Sequence, residues 1–478
     1  MKVRTRFAPS PTGYMHIGNL RTALYAYLYA RKNNGVFVLR IEDTDRERYV
    51  EGATEIIYRT LKIAGIEYDE GPLKDGGYGP YIQSERKADY IKYAEMLVEK
   101  GAAYYCFCTK ERLDTLSDTK GVRKYDKHCL KSLSLEEARR KIAKGEPYVI
   151  RQNIPESGKT SYTDMVFGEI NVDTEELEDN VLIKSDGMPT YNFANVIDDH
   201  LMAINTVIRG AEYLSSTPKY NLLYDAFGWQ RPVYIHLPHI MKDRERKLSK
   251  RYGDANFDDF LVKGYLPAAI VNYIALLGWS PKDNREKLNM REMIELFDVS
   301  GISKSSSIFD ENKMKWLNSE YLRELTVENF NSYALPFYQK SVISGKYDYM
   351  KLSALLKNRV EILSDINDKV KFLEEFGNYD IELFNHRKSK TDKDIAKSVI
   401  IGALDVFNRL DDWSIQSVDG ALAGIQEKLN LNKAQVMWSV RIAVTGSAVT
   451  PGGALEMVDL LGKERTLKRL EHSLNLID

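Results

Sequence analysis

Cysteine is scarce: three residues in a chain of 478, an odd number that cannot close a disulfide framework and that fits a reducing compartment. Long apolar runs are missing too. The longest, around Ala268 to Trp279, is too short to cross a bilayer, and the start, MKVRTRF, has no apolar core of signal-peptide length. These absences lead us to expect a cytoplasmic protein with no membrane partner. Charge of one sign is not in excess either: Lys and Arg number 68, Asp and Glu 69, for a formal net charge of -1. Any polyanion must therefore be held by local basic patches. There is no internal repeat and no long low-complexity segment. Hydrophobic residues make up 43% and charged residues 29%, which excludes wholesale disorder and leaves a globular chain of roughly two to four domains.

The amino-terminal stretch FAPSPTGYMHIGNLRTAL, residues 7–24, sets two prolines and two glycines before an apolar pattern at 20, 23, 24, 27 and 28. That spacing predicts a helix with one buried face. Val3–Phe7 before it and Val36–Ile41 after Asn33-Asn34-Gly35 read as strands, so the segment forms a β-α-β unit with a right-handed crossover. Glu42-Asp43-Thr44-Asp45 then falls at the carboxyl end of a strand, where open α/β sheets bind ligands. From about Glu111 to Glu178 the texture changes to a lysine-rich helical stretch followed by short alternating segments, Tyr148–Ile154 and Met165–Val172. This reads as an insertion. The α/β texture resumes with strands at Val181–Ile183, Thr206–Ile208 and Val233–His236. After about Asp254 the pattern is mostly helical, with helices expected over Lys351–Leu363, Lys393–Leu410 and Lys433–Val444.

Two motifs carry chemistry. In the first, Pro9 and Pro11 fix φ, Gly13 and Gly18 permit close backbone approach, and the helix presents unsatisfied N–H groups at its positive end. That combination is suited to phosphate, with His16 as a donor to a phosphoryl oxygen and Gly18 leaving room for a base; a merely tight connection is the plain alternative. In the second, KDRERKLSKRYGD at 242–254, the cations Lys242, Arg244, Arg246, Lys247, Lys250 and Arg251 crowd a segment without apolar period. It reads either as a solvated loop or as a loop whose lysines close over a triphosphate.

Together, HIGN after APSPTG and the later KLSKR resemble the paired signatures of class I aminoacyl-tRNA synthetases. The stretches TRFAPSPTGYMHIGNLRTALYAYLYAR, RIEDTDRER, KSDGMPTYNFANVIDDH and VIRGAEYLSSTP, spread over about residues 1–325, are similar to the bacterial-type glutamyl-tRNA synthetase family. RIAVTGSAVTPGGALEMVDLLGKERTLKRL resembles the family's helical anticodon-binding region more weakly. Asn19 stands where the general class pattern has histidine, and KLSKR where it has KMSKS; both variants occur in glutamate-specific members.

The resemblance implies a Rossmann-like parallel α/β catalytic domain in two halves, 1–110 and 181–255. An α+β acceptor-stem insertion would occupy 111–180, a helical connective domain 256–325, and an all-helical anticodon-binding region 326–478. It implies ATP with Mg²⁺, L-glutamate and tRNA(Glu) as partners, with tRNA(Gln) as a second tRNA in a non-discriminating form, and a monomer. Pro9, Ser10, Pro11, Thr12, Gly13, His16, Gly18 and Asn19, with Lys247, Leu248, Ser249, Lys250 and Arg251, would bind ATP. His16, Lys247 and Lys250 would act on the phosphates. Arg6, Ser10, Glu42, Tyr191, Asn195 and Arg209 would line the glutamate pocket, Arg209 reading the side chain with help from Arg6 and Tyr191, and Glu42 taking the ammonium. An Arg6–Glu42 structural salt bridge is the alternative.

Cys106, Cys108 and Cys129, with Tyr125 and His128 nearby, resemble a zinc knuckle found in the insertion of some members, with Tyr125 or His128 as fourth ligand. The family's other pattern places a histidine where this chain has Lys131. Three reduced cysteines in a small subdomain are the alternative, and no matching base supports a catalytic cysteine. Two further readings compete for the whole chain. A tRNA-independent nucleotidyltransferase, or a truncated relative that glutamylates a modified tRNA base, would not need the helical third. A non-catalytic tRNA-binding protein would have no reason to keep the charged pocket.

Overall fold

The computed structural model describes residues 2–45, 50–116, 125–246, 248, 256–374 and 376–478. The chain divides into two compact units, Met1–Leu261 with Pro267–Glu311, and Val262–Leu266 with Asn312–Asp478.

In the first unit, β1 (Arg4–Phe7) and β2 (Val36–Leu39) pair in parallel around α1 (Ile17–Lys32). The helix starts three residues before the first position of the apolar pattern because His16 caps it. Leu20, Ala23, Leu24 and Leu28 are all buried, and each leucine contributes about 1.5–3 kcal/mol relative to exposure. The strand expected to reach Ile41 ends at Leu39, with Ile41 kept in a single parallel bridge to Ile82. Next come α2 (Ala53–Ile63), α3 (Lys87–Glu99), β3 (Ala103–Cys106), α4 (Lys110–Asp114), α5 (His128–Ser132) and α6 (Leu135–Ala143). They are followed by β4 (Val149–Gln152), β5 (Lys159–Asp164), β6 (Gly168–Asp173), β7 (Val181–Ile183), α7 (Tyr191–Leu201), β8 (Thr206–Gly210), α8 (Thr217–Phe227) and β9 (Val233–Leu237).

Strands β8 and β9 run parallel, as their β-branched sequences suggest. Asn205, just before β8, donates its N–H to the Arg4 carbonyl at 3.2 Å and so sets β8 beside β1. Two expectations need correction. Met165–Phe167 is not strand but the turn of a β5–β6 hairpin: Asp164 accepts the Val166 and Phe167 N–H groups, each at 2.9 Å, and these local bonds replace a ladder. The hairpin does not stand apart either, because Asp164 pairs in parallel with Tyr234 and joins β5 to β9. Likewise β7 does not resume the parallel sheet; it closes an antiparallel sheet in the order β3-β4-β7.

In the second unit, helices over Lys393–Asn408, Ile415–Leu429, Lys433–Thr445 and Ala454–Ile477 pack together, the last broken at Gly462 by φ 75°. The helix expected from Lys351 to Leu363 is shorter, Tyr349–Leu356, where Asp348 caps it. The buried Arg469 guanidinium donates to the Val444 carbonyl at 2.8 Å and to that of Phe372 at 3.1 Å, tying the last helix to the preceding one and to the chain before it. Among the described residues no helix is long and apolar enough to cross a membrane.

Candidate active site

The turn between β1 and α1 is built by backbone geometry. Pro9 and Pro11 are buried, Ser10 and Asn19 exposed, and Thr12 donates its N–H to the Ser10 carbonyl at 2.9 Å. Gly13 has φ +116°, a conformation that a side chain would strain. The Pro9 carbonyl accepts from the Glu42 N–H at 3.0 Å, which holds the turn against the end of β2. His16, extended at φ -70° and ψ 142°, accepts the Gly18 N–H on Nδ1 at 3.0 Å. In neutral imidazole this acceptance leaves the proton on Nε2, a donor at the helix mouth. A Cβ at residue 18 would come within 3.2 Å of that Nδ1, so glycine there serves the histidine cap as well as any ligand.

Lys242–Arg246 form a tight turn organised by Asp243, whose Oδ1 accepts the N–H groups of Glu245 and Arg246 at 3.0 and 2.8 Å. The guanidinium of Arg246 and these N–H groups hold the Asp243 carboxyl down at about 2. Lys242, Arg244 and Arg246 are exposed. Half-buried Leu248 donates its N–H to the Ile240 carbonyl at 3.1 Å. Lys247, Ser249, Lys250 and Arg251 lie outside the described residues. Beyond them Asn256 forms an antiparallel bridge with His16, and Phe257 donates to the Met15 carbonyl at 3.1 Å. The chain leaving the second signature thus runs against the first.

Between these motifs lies a buried charge network that sequence reasoning passed over. Arg40, fully buried, donates through Nη1 to Asp199 at 2.8 Å and through Nη2 to Glu42 at 3.0 Å, and its Nε lies 3.8 Å from Asp198. Arg6 binds Asp199 through Nε at 3.1 Å and the Ile208 carbonyl through Nη1 at 3.3 Å. Asp198 is held by Arg86 at 2.8 Å, Gln83 at 2.8 Å and the Tyr90 hydroxyl at 2.9 Å. Arg6 and Glu42 therefore have separate partners rather than each other. Burial raises the Glu42 carboxyl, outweighing Arg40 and Arg6. Burial also penalises Asp199, but there the two arginines win and the carboxyl stays below its ordinary range. Of the acidic cluster, Asp43 is turned aside to Ser84, accepting its N–H at 2.8 Å and its hydroxyl at 2.6 Å. The stretches IED and VIDDH carried this network in plain view, but period and spacing do not say which carboxylates meet which arginines.

Arg209, on β8, is held differently. Its Nε donates to His236 Nε2 at 3.1 Å and its Nη2 to Thr217 Oγ1 at 2.6 Å. The rings of Tyr220, Tyr213 and Tyr234 flank it, at 4.9, 5.1 and 5.6 Å from centroid to guanidinium carbon. Among the described residues no carboxylate pairs with this guanidinium, although only 4% of the residue is exposed. Burying an arginine without a counter-ion is costly, and a planar fork with an open edge is matched by a carboxylate. Tyr191 opens α7 with its ring 5.3 Å from that of Tyr213, and Asn195 donates to the Tyr191 carbonyl at 2.6 Å, fixing the first turn. Burial, then the neighbouring Glu42 charge, pushes the Tyr191 phenol up, so it remains a neutral donor.

A separate cluster forms where β3 meets α5. Cys106, Cys108 and Cys129 offer sulfurs that lie within 4.8 Å of one another. The Tyr125 hydroxyl lies 3.3 Å from both Cys106 Sγ and Cys108 Sγ. His128 is exposed, and the described ligand group does not include it. The Cys129 thiol, then Tyr125 and Arg151, hold the Cys106 thiol well below the usual thiol range. Three sulfurs and an oxygen so placed are a donor set that could hold a tetrahedral zinc ion.

Comparison with known proteins matches residues 2–316 to the catalytic domain of class I tRNA synthetases (E and Q) and residues 314–474 to an anticodon binding domain. The chain is 55% identical over 477 residues to a glutamate–tRNA ligase of Clostridium kluyveri, covering 99% of this chain and 98% of the relative. It is 52% identical over 474 residues to the one of Clostridium acetobutylicum, covering 98% of each. The crystal structure of a glutamate tRNA ligase from Elizabethkingia meningosepticum in complex with its amino acid superposes with a TM-score of 0.88 at 34% identity, covering the whole of both chains. With both matched domains in order along its length, the chain belongs to the class I tRNA synthetase family of the glutamate and glutamine type.

Proposed function

We propose that the protein joins L-glutamate to the 3′ end of tRNA(Glu) in two steps. The glutamate α-carboxylate attacks the α-phosphate of ATP to give glutamyl-adenylate and diphosphate; a hydroxyl of the terminal ribose then takes the acyl group and AMP leaves. Neither step needs a protein nucleophile, so the residues work by positioning and charge.

The observation that carries the amino-acid assignment is Arg209: a buried guanidinium that, among the described residues, is held by neutral partners and aromatic faces and by no carboxylate. It would take the side-chain carboxylate, with the Tyr191 hydroxyl beside it and Arg6 contributing positive charge from its place on Asp199. Glutamine would leave the guanidinium without a counter-ion, while aspartate would be rejected by reach. Glu42 would take the ammonium, Arg40 holding one of its oxygens, with Ser10 and Asn195 completing the pocket. On the ATP side, the Pro9–Gly13 turn with Gly18 and Asn19 would seat the nucleotide and the Nε2–H of His16 would meet a phosphate. Lys247 and Lys250, with Leu248, Ser249 and Arg251, would close over the leaving diphosphate. Mg²⁺ bound with ATP supplies further neutralisation of the phosphates. The proximity of Asn256 to His16 supports this arrangement, since it brings the flank of the second signature to the first.

Cys106, Cys108, Cys129 and Tyr125 would hold a structural zinc ion in the acceptor-end segment, with Tyr125 rather than His128 completing the set. The finer division proposed is two catalytic halves at 1–110 and 181–255, the insertion at 111–180, the connective helices at 256–325 and the anticodon-binding helices at 326–478. The protein would act in the cytoplasm as a monomer, and tRNA binding would weaken with salt because phosphate contacts release counterions.

The deciding experiment is aminoacylation with radiolabelled glutamate, ATP and Mg²⁺, using tRNA(Glu) and tRNA(Gln) transcripts separately. Charging of tRNA(Glu) alone is the expected result. Charging of both would make the enzyme non-discriminating, and charging of neither, with active controls, would overturn the assignment.

A further inference from the structure

Asp164, His236 and Arg209 stand on three neighbouring strands, β5, β9 and β8, and their side chains form one line. Asp164 and His236 are wholly enclosed, and Oδ2 of Asp164 lies 2.7 Å from His236 Nδ1. Each carboxylate oxygen also accepts from the backbone: Oδ1 from Val166 and Phe167, Oδ2 from His236. An oxygen so placed accepts only, so the proton between it and Nδ1 belongs to the imidazole. With Nδ1 protonated, neutral His236 presents a lone pair at Nε2, and that atom receives Arg209 Nε at 3.1 Å. Thr217 braces the same corner. Its Oγ1 accepts from Arg209 Nη2 at 2.6 Å, donates to the Tyr213 carbonyl at 2.8 Å and lies 3.3 Å from His236 Nε2.

We propose that Asp164 and His236 are positioning residues for amino-acid specificity: they fix one imidazole tautomer, which grips the inner edge of Arg209 and leaves the rest of its fork to the incoming carboxylate. The inference rests on the reading of Arg209 given above. A second proton on His236 would set an N–H against the Arg209 Nε–H, and the opposite tautomer would do the same. Either would free the guanidinium to rotate off its axis. The relay also gives a use to the position of Asp164, which closes the β5–β6 hairpin opposite Gly168 and at the same time pairs in parallel with Tyr234 of β9. A carboxylate from the middle of the chain thereby sets the orientation of an arginine on another strand. The aromatic rings around Arg209 could not do this, since they confine the guanidinium but do not fix its rotation.

Two measurements test it. In the intact protein, nitrogen-15 NMR of the histidine rings, assigned with H236Q, is expected to show His236 protonated on Nδ1 and bare on Nε2; a proton on Nε2 overturns the proposal. In steady-state charging assays, H236N keeps a donor for Asp164 but withdraws the acceptor from Arg209. It is expected to raise KM for glutamate on the order of tenfold or more, as for removal of one partner of a buried bond to a charged group. KM for ATP should stay put. H236Q can offer its amide oxygen at the Nε2 position and is expected to recover most of the lost affinity. R209K separates the two layers of the argument. If R209K raises KM for glutamate and H236N does not, the relay is wrong and the Arg209 assignment survives. If R209K leaves KM for glutamate unchanged, the Arg209 assignment itself fails and the relay with it.

Discussion

Arg40 and Asp199 form an ion pair at 2.8 Å in which the arginine is wholly buried and the aspartate nearly so. Asp199 at the same time receives Arg6, so a carboxylate on α7 joins Arg6 of β1 to Arg40, the residue just after β2. Removing the arginine would strand Asp199, Asp198 and Glu42 with less compensation than their burial requires. R40M is therefore expected to lower unfolding free energy by about 3–5 kcal/mol, read from urea denaturation. A loss below about 1 kcal/mol would mean the network is held mainly by packing.

His16 separates two jobs on its two ring nitrogens. Nδ1 caps α1 by accepting from Gly18, and Nε2 is the proposed phosphate donor. H16N retains an acceptor near the Nδ1 position and lacks the Nε2 donor. It should melt within a few degrees of the parent, yet lose about a hundredfold in ATP–diphosphate exchange assayed with tRNA present. Equal exchange rates in H16N and parent would remove His16 from the chemistry.

Lys250 lies on the second signature, and K250A is expected to slow adenylate formation by on the order of a hundredfold or more without changing the melting temperature. Single-turnover kinetics at saturating ATP would show it. A change confined to KM for glutamate would place the lysine elsewhere.

Two of the three carboxylates around Arg40, Asp199 and Glu42, titrate with opposite signs. Asp199 lies below its ordinary value of about 3.9, so its stabilising contribution is complete above that pH and is lost as pH falls toward its native value. Glu42 is raised, so its burial favours the fold while protonated and works against it as pH rises through the native value, above about 4.3. Compared with the parent, D199N should show a flatter loss of stability below pH 4, and E42Q a flatter change just above it. Urea midpoints across pH 3–7 would reveal either.

Tyr125 touches two thiols while His128 faces solvent. Purified protein is expected to contain about one zinc per chain by elemental analysis. Y125F should release it to a chelator at least tenfold faster than the parent, and H128A at the parent's rate. Rapid release from H128A with slow release from Y125F would reverse the assignment.

Local order was legible in the chain. The period of Leu20 to Leu28 marks α1, the short run Val3–Phe7 marks β1, the β-branched runs mark β2, β8 and β9, and the spacing of Cys106, Cys108 and Cys129 marks a cluster, because each depends on neighbours along the sequence. The strand reading of Met165–Val172 held from Gly168 on but failed at Met165–Phe167 for a local reason of a different kind: Asp164 bends the chain by accepting two following N–H groups, a competition that alternation does not register. Val181–Ile183 read correctly as a strand but not as part of the parallel sheet, since its pairing with β4 is a matter of register between distant segments.

The amino-acid sequence by itself determined the family signatures, the β-α-β start and the identity of the groups available for chemistry. It also placed Arg6, Glu42 and Arg209 at strand ends. Only the tertiary structure decided how they pair: Arg6 with Asp199, Glu42 with Arg40, and Arg209 with a neutral histidine in place of a carboxylate. Charge compensation inside a protein depends on distance and burial, and for these groups both are fixed by strand register and helix docking across segments far apart in the chain.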